Sequence, residues 1–189
     1  METRKFVLAV MIMLSGNVLF AQKLEVNTKT SIVEWQGKKI GTKHKGNIKL
    51  ESGYFGLEND KIFEGNFVAD MTTITNTDLE NEAYNQKLVG HLKSDEFFGV
   101  EKFPTANFTL TQSSNFINGK ARITGDITIK GKTESITFEV VRAGKEYTAK
   151  VEIDRSKFDV RYGSDSFFDN LGDNAIDDIF TLDIKLVVI

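Results

Sequence analysis

The 189-residue chain has no cysteine, one proline, one tryptophan and two histidines. Each shortage closes a route. Without cysteine there is no disulfide framework, no thiolate metal site, no thiol nucleophile and no cysteine to carry a lipid anchor, so the fold must hold through packing alone. With His44 and His91 as the only imidazoles, a metal site would need both of them plus carboxylates, and none is assigned. Long hydrophobic runs are also missing. The run from Phe6 to Leu14 falls well short of the ~20 residues that a bilayer-spanning helix needs, so no stable membrane insertion is expected. No Gly-x-Ser-x-Gly elbow, phosphate-binding glycine loop or dinucleotide fingerprint occurs. Carboxylate pairs prove nothing in a chain with 27 acidic residues. No catalytic residue and no cofactor is assigned, and the chain does not read as an enzyme. The mild acidity, net −3, argues against nucleic acid as a partner.

The first residues have the layout of a cleavable export signal. Arg4 and Lys5 precede the apolar run, then come Ser15, Gly16 and a small residue at Ala21, which predicts a signal over residues 1–21 and a mature domain over 22–189 in the periplasm or outside the cell. Cleavage after Gly16 is the alternative, because Leu19 is bulky for the position two before Ala21. No linker rich in Pro, Gly or Ser interrupts the rest, and no repeat period appears, so one continuous domain is expected.

Alternation with period two dominates that domain, the mark of strands that bury one face. Ile123, Gly125, Ile127 and Ile129 alternate with Arg122, Thr124, Asp126, Thr128 and Lys130, and a tight turn at Gly131-Lys132-Thr133 leads to Ile136, Phe138 and Val140. Asn118-Gly119 is a strong hairpin signal, because both residues accept positive φ. The pattern returns in Tyr147 to Ile153 and in Phe180 to Val188. Earlier strands are expected at Ile32 to Lys39, Gly46 to Phe55, Lys61 to Thr75 with Phe63, Phe67 and Met71 on one face, and Thr105 to Thr111, with Leu24 to Asn27 a short addition. Asp78 to Leu92 reads as the main helix, from the spacing of Leu79, Tyr84, Leu88 and Leu92 and a cap at Thr77 or Asp78. A further helical turn is expected from Ser94, and Ser164 to Asp178 reads as a long loop with some helix. An all-β fold of about eight antiparallel strands closes into a barrel or splits into a sandwich, and a barrel of this size is either filled or holds one small ligand.

Three segments resemble the YceI-like family of exported bacterial proteins. They are Gly90-His91-Leu92-Lys93-Ser94-Asp95-Glu96-Phe97-Phe98 with Lys102-Phe103-Pro104-Thr105-Ala106, then Thr124 to Gly131, then Asp154-Arg155-Ser156-Lys157-Phe158 with Arg161-Tyr162-Gly163 and Asp177 to Phe180. The resemblance runs from about Val26 to Ile189. It implies a closed or extended eight-stranded, lipocalin-like antiparallel barrel with one main helix, which binds a polyisoprenoid or another long amphiphilic chain and carries no catalytic residues.

On their own, the fifteen phenylalanines read as core filling; with the resemblance, some of them line a tunnel. Strand alternation selects Val33, Trp35, Phe67, Met71, Phe108, Ile127, Phe138 and Leu182 for that lining, with small residues Gly125, Ala106 and Ala149 leaving room or else packing tightly. His91 reads as the end of the main helix or as a contact to a ligand head group. Arg161 and Tyr162 are the other head-group candidates, although an ion pair involving Asp154-Arg155 or Arg161 that closes a turn is the plainer reading. Asp165, Asp169, Asp173, Asp177 and Asp178 lack the EF-hand pattern and read as a solvated loop. The expected partner is thus a long-chain lipid or isoprenoid, held by a carrier or sequestering protein; a homodimer is compatible with this. The rival readings are a lipocalin-like enzyme acting on a bound lipid and a filled-barrel structural or stress protein of the envelope.

Overall fold

The computed structural model describes residues 22–189; the export signal expected over residues 1–21 lies outside the described residues. Nine strands and one helix follow in the order β1 (Gln22–Glu25), β2 (Ile32–Lys39), β3 (Thr42–Glu58), β4 (Lys61–Asp70), α1 (Glu82–Lys93), β5 (Thr105–Ser113), β6 (Lys120–Ile129), β7 (Lys132–Ala143), β8 (Glu146–Asp154) and β9 (Ile179–Val187). From β4 to β9 each strand pairs antiparallel with the next, and β9 pairs with β2. The 17-residue β3 closes the ring by serving two neighbours in turn: Thr42–Ile48 pairs with β2 and Lys49–Glu58 with β4. Where β2 leaves β3, β1 takes its place against Tyr54–Leu57, and Val26 bridges to Val188. The barrel is therefore closed and eight-stranded, with a first strand interrupted at 27–31. The ring is least complete between β7 and β8, which pair only over Val140–Ala143 and Glu146–Ala149.

Two tight hairpins set the register of the most regular wall. Asn118-Gly119 has φ of 52° and 77°, and Lys130-Gly131 has φ of 50° and 73°. Two successive left-handed residues twist with the strands they join. The second turn thus falls one residue earlier than the sequence suggested.

Three expectations need correction. Phe63 does not share a face with Phe67 and Met71: a register shift between Gly56/Leu57 of β3 and Glu64/Ile62 of β4 inverts the alternation, so Ile62 is buried and Phe63 is 46% exposed. One extra residue in a bulge exchanges the two faces of a strand. The helix starts later than Asp78, because Asn81 accepts a hydrogen bond from the Tyr84 N–H and is the cap. Asp78 instead accepts from the Lys45 N–H at 2.9 Å and pairs with the His44 ring at 2.9 Å, pinning the segment before the helix to β3. Of the expected helical face, Leu92 is buried while Tyr84 is exposed. Ser94 begins no second helix but caps the C-terminus of α1, its N–H and hydroxyl both donating to the His91 carbonyl. The residues after it form hydrogen-bonded turns, with the Phe97 and Gly99 N–H groups donating to the Ser94 carbonyl.

The barrel interior holds two apolar clusters. One gathers Leu24, Val26, Phe55, Phe116, Tyr147 and Val188 at the end where β1 meets the β3–β4 turn. The other gathers Trp35, Ile74, Leu92, Phe97, Val151 and Phe158 at the end covered by α1 and the segment after β8.

Candidate functional site

A cavity of about 220 Å³ runs through both clusters, bounded by Phe55, Ile62 and Tyr147 of the first and by Trp35, Leu92 and Phe97 of the second. Val33, Trp35, Phe67, Met71, Phe108, Ile127, Phe138 and Leu182 all face it. Alternation brings seven of them together, because β2, β4, β5, β6, β7 and β9 each turn one face inward; Met71 lies beyond β4, which stops at Asp70 and not at Thr75, in a 3-10 turn over Met71–Thr73 that Asp70 caps. Apart from Asn107, Thr148, Arg155 and Asp177, the wall is made of apolar and aromatic residues and glycine. The one indole N–H in it is satisfied, donating to the Thr75 carbonyl at 2.9 Å.

The small residues divide. Ala106 and Ala149 face the cavity. Gly125 does not make room: a Cβ there would lie 2.3 Å from the Phe108 ring and 2.5 Å from the Thr109 carbonyl oxygen, so its space is already filled. Gly37 and Gly65 both border the cavity; a Cβ at Gly65 would meet Phe55, Phe67 and Leu110 at 3.4–3.6 Å, ordinary contact.

The two ends of the channel differ. At the first, the aromatic layer of Phe55 and Tyr147, 4.7 Å apart edge to face, is backed by Leu24, Val26, Phe116 and Val188, which do not touch the cavity. At the other lie Phe97, Phe98, Ile176 and Phe180, with the two charged members of the wall, Arg155 and Asp177.

Arg155 is only 3% exposed. Its Nη1 donates to the carbonyls of Val160 and Tyr162, Nη2 to that of Ile176 and Nε to that of Asp177, at 2.8–3.1 Å. Its ion-pair partner is Asp178, at 3.3 Å, and not Asp154, which caps the turn Arg155–Phe158 through Ser156. Burial pulls the Arg155 pKa down while Asp178, Asp177 and Asp154 oppose it. Four of the five guanidinium N–H groups are therefore occupied in holding the loop over 159–178.

His91, Arg161 and Tyr162 lie outside the channel. His91 sits in the last turn of α1, pairs with Glu96 at 3.1 Å and meets the Tyr162 ring edge to face at 4.3 Å. Arg161 pairs with Asp159 at 2.6 Å, and its guanidinium stacks over Phe167. Arg161 and Tyr162 line a shallower basin with Glu96, Phe168 and Asn174. Phe97 connects the two regions, bordering the channel on one side and lying 5.9 Å from the Tyr162 ring on the other. Among the described residues, no three His, Asp or Glu side chains are grouped to hold a metal ion, and no helix is long and apolar enough to cross a membrane.

Tyr147, Phe97 and Phe98 were not singled out for the wall by sequence reasoning. Tyr147 was legible in principle, as the first inward residue of β8. Phe97 and Phe98 belong to turns, where no periodicity reports direction.

The class of fold is a closed, eight-stranded, up-and-down antiparallel barrel around an apolar channel. This chain belongs to the YceI-like family, whose domain matches residues 24–188. It is 32% identical to a UPF0312 protein of Shewanella denitrificans over 100 residues, covering 53% of this chain and 50% of that one. It is 28% identical to a UPF0312 protein of Vibrio parahaemolyticus over 138 residues, covering 66% of this chain and 69% of the other. The match therefore spans half the length of the Shewanella relative. Among solved structures, Burkholderia cenocepacia BcnA superposes with a TM-score of 0.62 at 21% identity, covering 86% of this chain and 98% of that one. A polyisoprenoid-binding domain from Saccharophagus degradans superposes with a TM-score of 0.59 at 13% identity, covering 87% and 97%. At these identities the structural likeness speaks for the fold alone.

Proposed function

We propose that the protein holds one long apolar chain, a polyisoprenoid, an isoprenoid quinone or a fatty-acid-like amphiphile, inside the barrel, and serves as an exported carrier or sequestering protein. The observation that carries this reading is the channel from Phe97 to Tyr147, whose wall is apolar apart from Asn107, Thr148, Arg155 and Asp177. Burying hydrocarbon there contributes ~0.8 kcal/mol per methylene before the cost of ordering the chain is subtracted. A ligand of several isoprene units needs no elaborate polar anchor. The polar end, at Arg155, Asp177 and the turns after α1, is where a head group would stay in contact with water.

The test is titration of the domain over residues 22–189 with a fluorescent long-chain fatty acid. Saturable binding is expected, and Phe138→Arg, which places a guanidinium in the wall, should abolish it while the circular dichroism stays that of a β-barrel. No saturable binding by the unaltered domain, or equal binding by a folded Phe138→Arg, would refute the carrier reading. The sequence of residues 1–21 supports export. N-terminal sequencing of protein recovered from the cell envelope or medium should begin at Gln22, and a chain retained in the cytoplasm with Met1 in place would count against it.

A further inference from the structure

We infer that the Tyr147 ring is the floor of the channel and fixes the length of chain that the protein accepts, an inference that rests on the carrier reading above. The ring is 4% exposed and forms part of the channel wall. It is wedged edge to face between Phe55, at 4.7 Å, and Phe116, at 6.1 Å. Phe55 borders the channel whereas Phe116 does not, so Tyr147 lies at the boundary between hollow and filled barrel.

Its position is braced from outside. Arg142 is the cross-strand partner of Tyr147, stacks over Phe116 at 4.6 Å and pairs with Asp60 at 2.7 Å. The Asp60 carbonyl in turn accepts from the Phe116 N–H at 2.7 Å. The β3–β4 turn, the segment before β6 and the β7–β8 hairpin are thus tied together under the floor. A floor held this way does not swing aside for a longer ligand, and the polar end lies opposite, so the distance between them is a fixed measure.

Gly65 supplies the complementary handle. It pairs with Phe55 just above the floor and borders the channel, and a Cβ there makes ordinary van der Waals contact with Phe55, Phe67 and Leu110, so a longer side chain would extend into the channel. A leucine there would take up roughly one isoprene unit of space, and removing the Tyr147 ring would release about as much, since close-packed interiors have little slack to absorb either change.

The experiment loads the domain over residues 22–189 with an equimolar mixture of all-trans prenols of stepwise length and reads the bound species by native mass spectrometry. The optimum is expected to move about one unit shorter in Gly65→Leu, about one unit longer in Tyr147→Ala, and not at all in Tyr147→Phe, which keeps the ring. Should Tyr147→Ala fail to fold, Gly65→Leu still reports the floor from above. An unchanged optimum in the folded variants, with prenols bound throughout, overturns the ruler and leaves the carrier reading standing. An unaltered domain that takes up no prenol overturns the ruler, and one that also fails to bind the fluorescent fatty acid refutes both.

Discussion

Each end of the channel is braced by an arginine, and the two do different work. Arg155 is buried, donates to four backbone carbonyls and lies 3.3 Å from the Asp178 carboxylate, so it is the internal scaffold of the irregular loop that follows it. Arg142 lies outside an end that is already sealed by aromatic packing, with its partner Asp60 63% exposed. Where hydrocarbon fills the space, a charge adds little. Where backbone must be stacked without strands, buried donors are required, because unpaired carbonyls in a low-dielectric setting are costly.

The largest expected effect follows from that contrast. Arg155→Met strands the Asp178 carboxylate and four carbonyls, and should cost about 3–5 kcal/mol in urea unfolding. A loss below 1 kcal/mol would show that the loop is held by other means. Next, Gly125→Ala drives a methyl group into the Phe108 ring and a backbone oxygen and should cost about 1–3 kcal/mol. At the sealed end, Arg142→Met should cost at most about 1 kcal/mol, the range of exposed pairs. Equal losses for the two arginine variants would erase the distinction between the ends. Gly65→Ala runs the other way: with contact distances ordinary and no positive φ, it should stabilise by about 0.4–1 kcal/mol by restricting the unfolded chain.

The smallest effect is a pH dependence outside the channel. Partial burial raises the Asp78 pKa, but the Lys45 N–H, the His44 ring and Asn76 together outweigh it and hold the carboxyl below its ordinary 3.8. A depressed folded value means that stability is fully present above the unfolded pKa and is lost as pH falls through the folded one. Asp78→Asn should therefore flatten the acid limb of the stability curve below about pH 4, and an unchanged limb would show that Asp78 carries none of it.

Much of this architecture was legible from alternation. β2, β6, β8 and β9 fall where period two placed them, and the seven proposed wall residues that lie on strands face the channel, while Met71 borders it from the turn after β4. What failed depends on contacts far apart in sequence. The bulge that turns Phe63 outward exists only in the pairing of β3 with β4. The cap expected at Thr77 or Asp78 was misread because both residues serve Lys45, more than thirty residues away. Gly125 looked like room because a missing side chain says nothing about what a neighbouring strand puts in its place. Arg155 was seen as half of an ion pair, but the carbonyls that occupy it lie in an irregular loop whose path no periodicity describes.

The central claim is that the interior is hollow and serves a long apolar chain. Native mass spectrometry of the domain over residues 22–189, purified without detergent, tests it most directly. A mass excess matching one long-chain lipid per protein, released by organic solvent and lost in Phe138→Arg, is the predicted result. A bare polypeptide mass, unchanged after incubation with prenols or fatty acids, would contradict it.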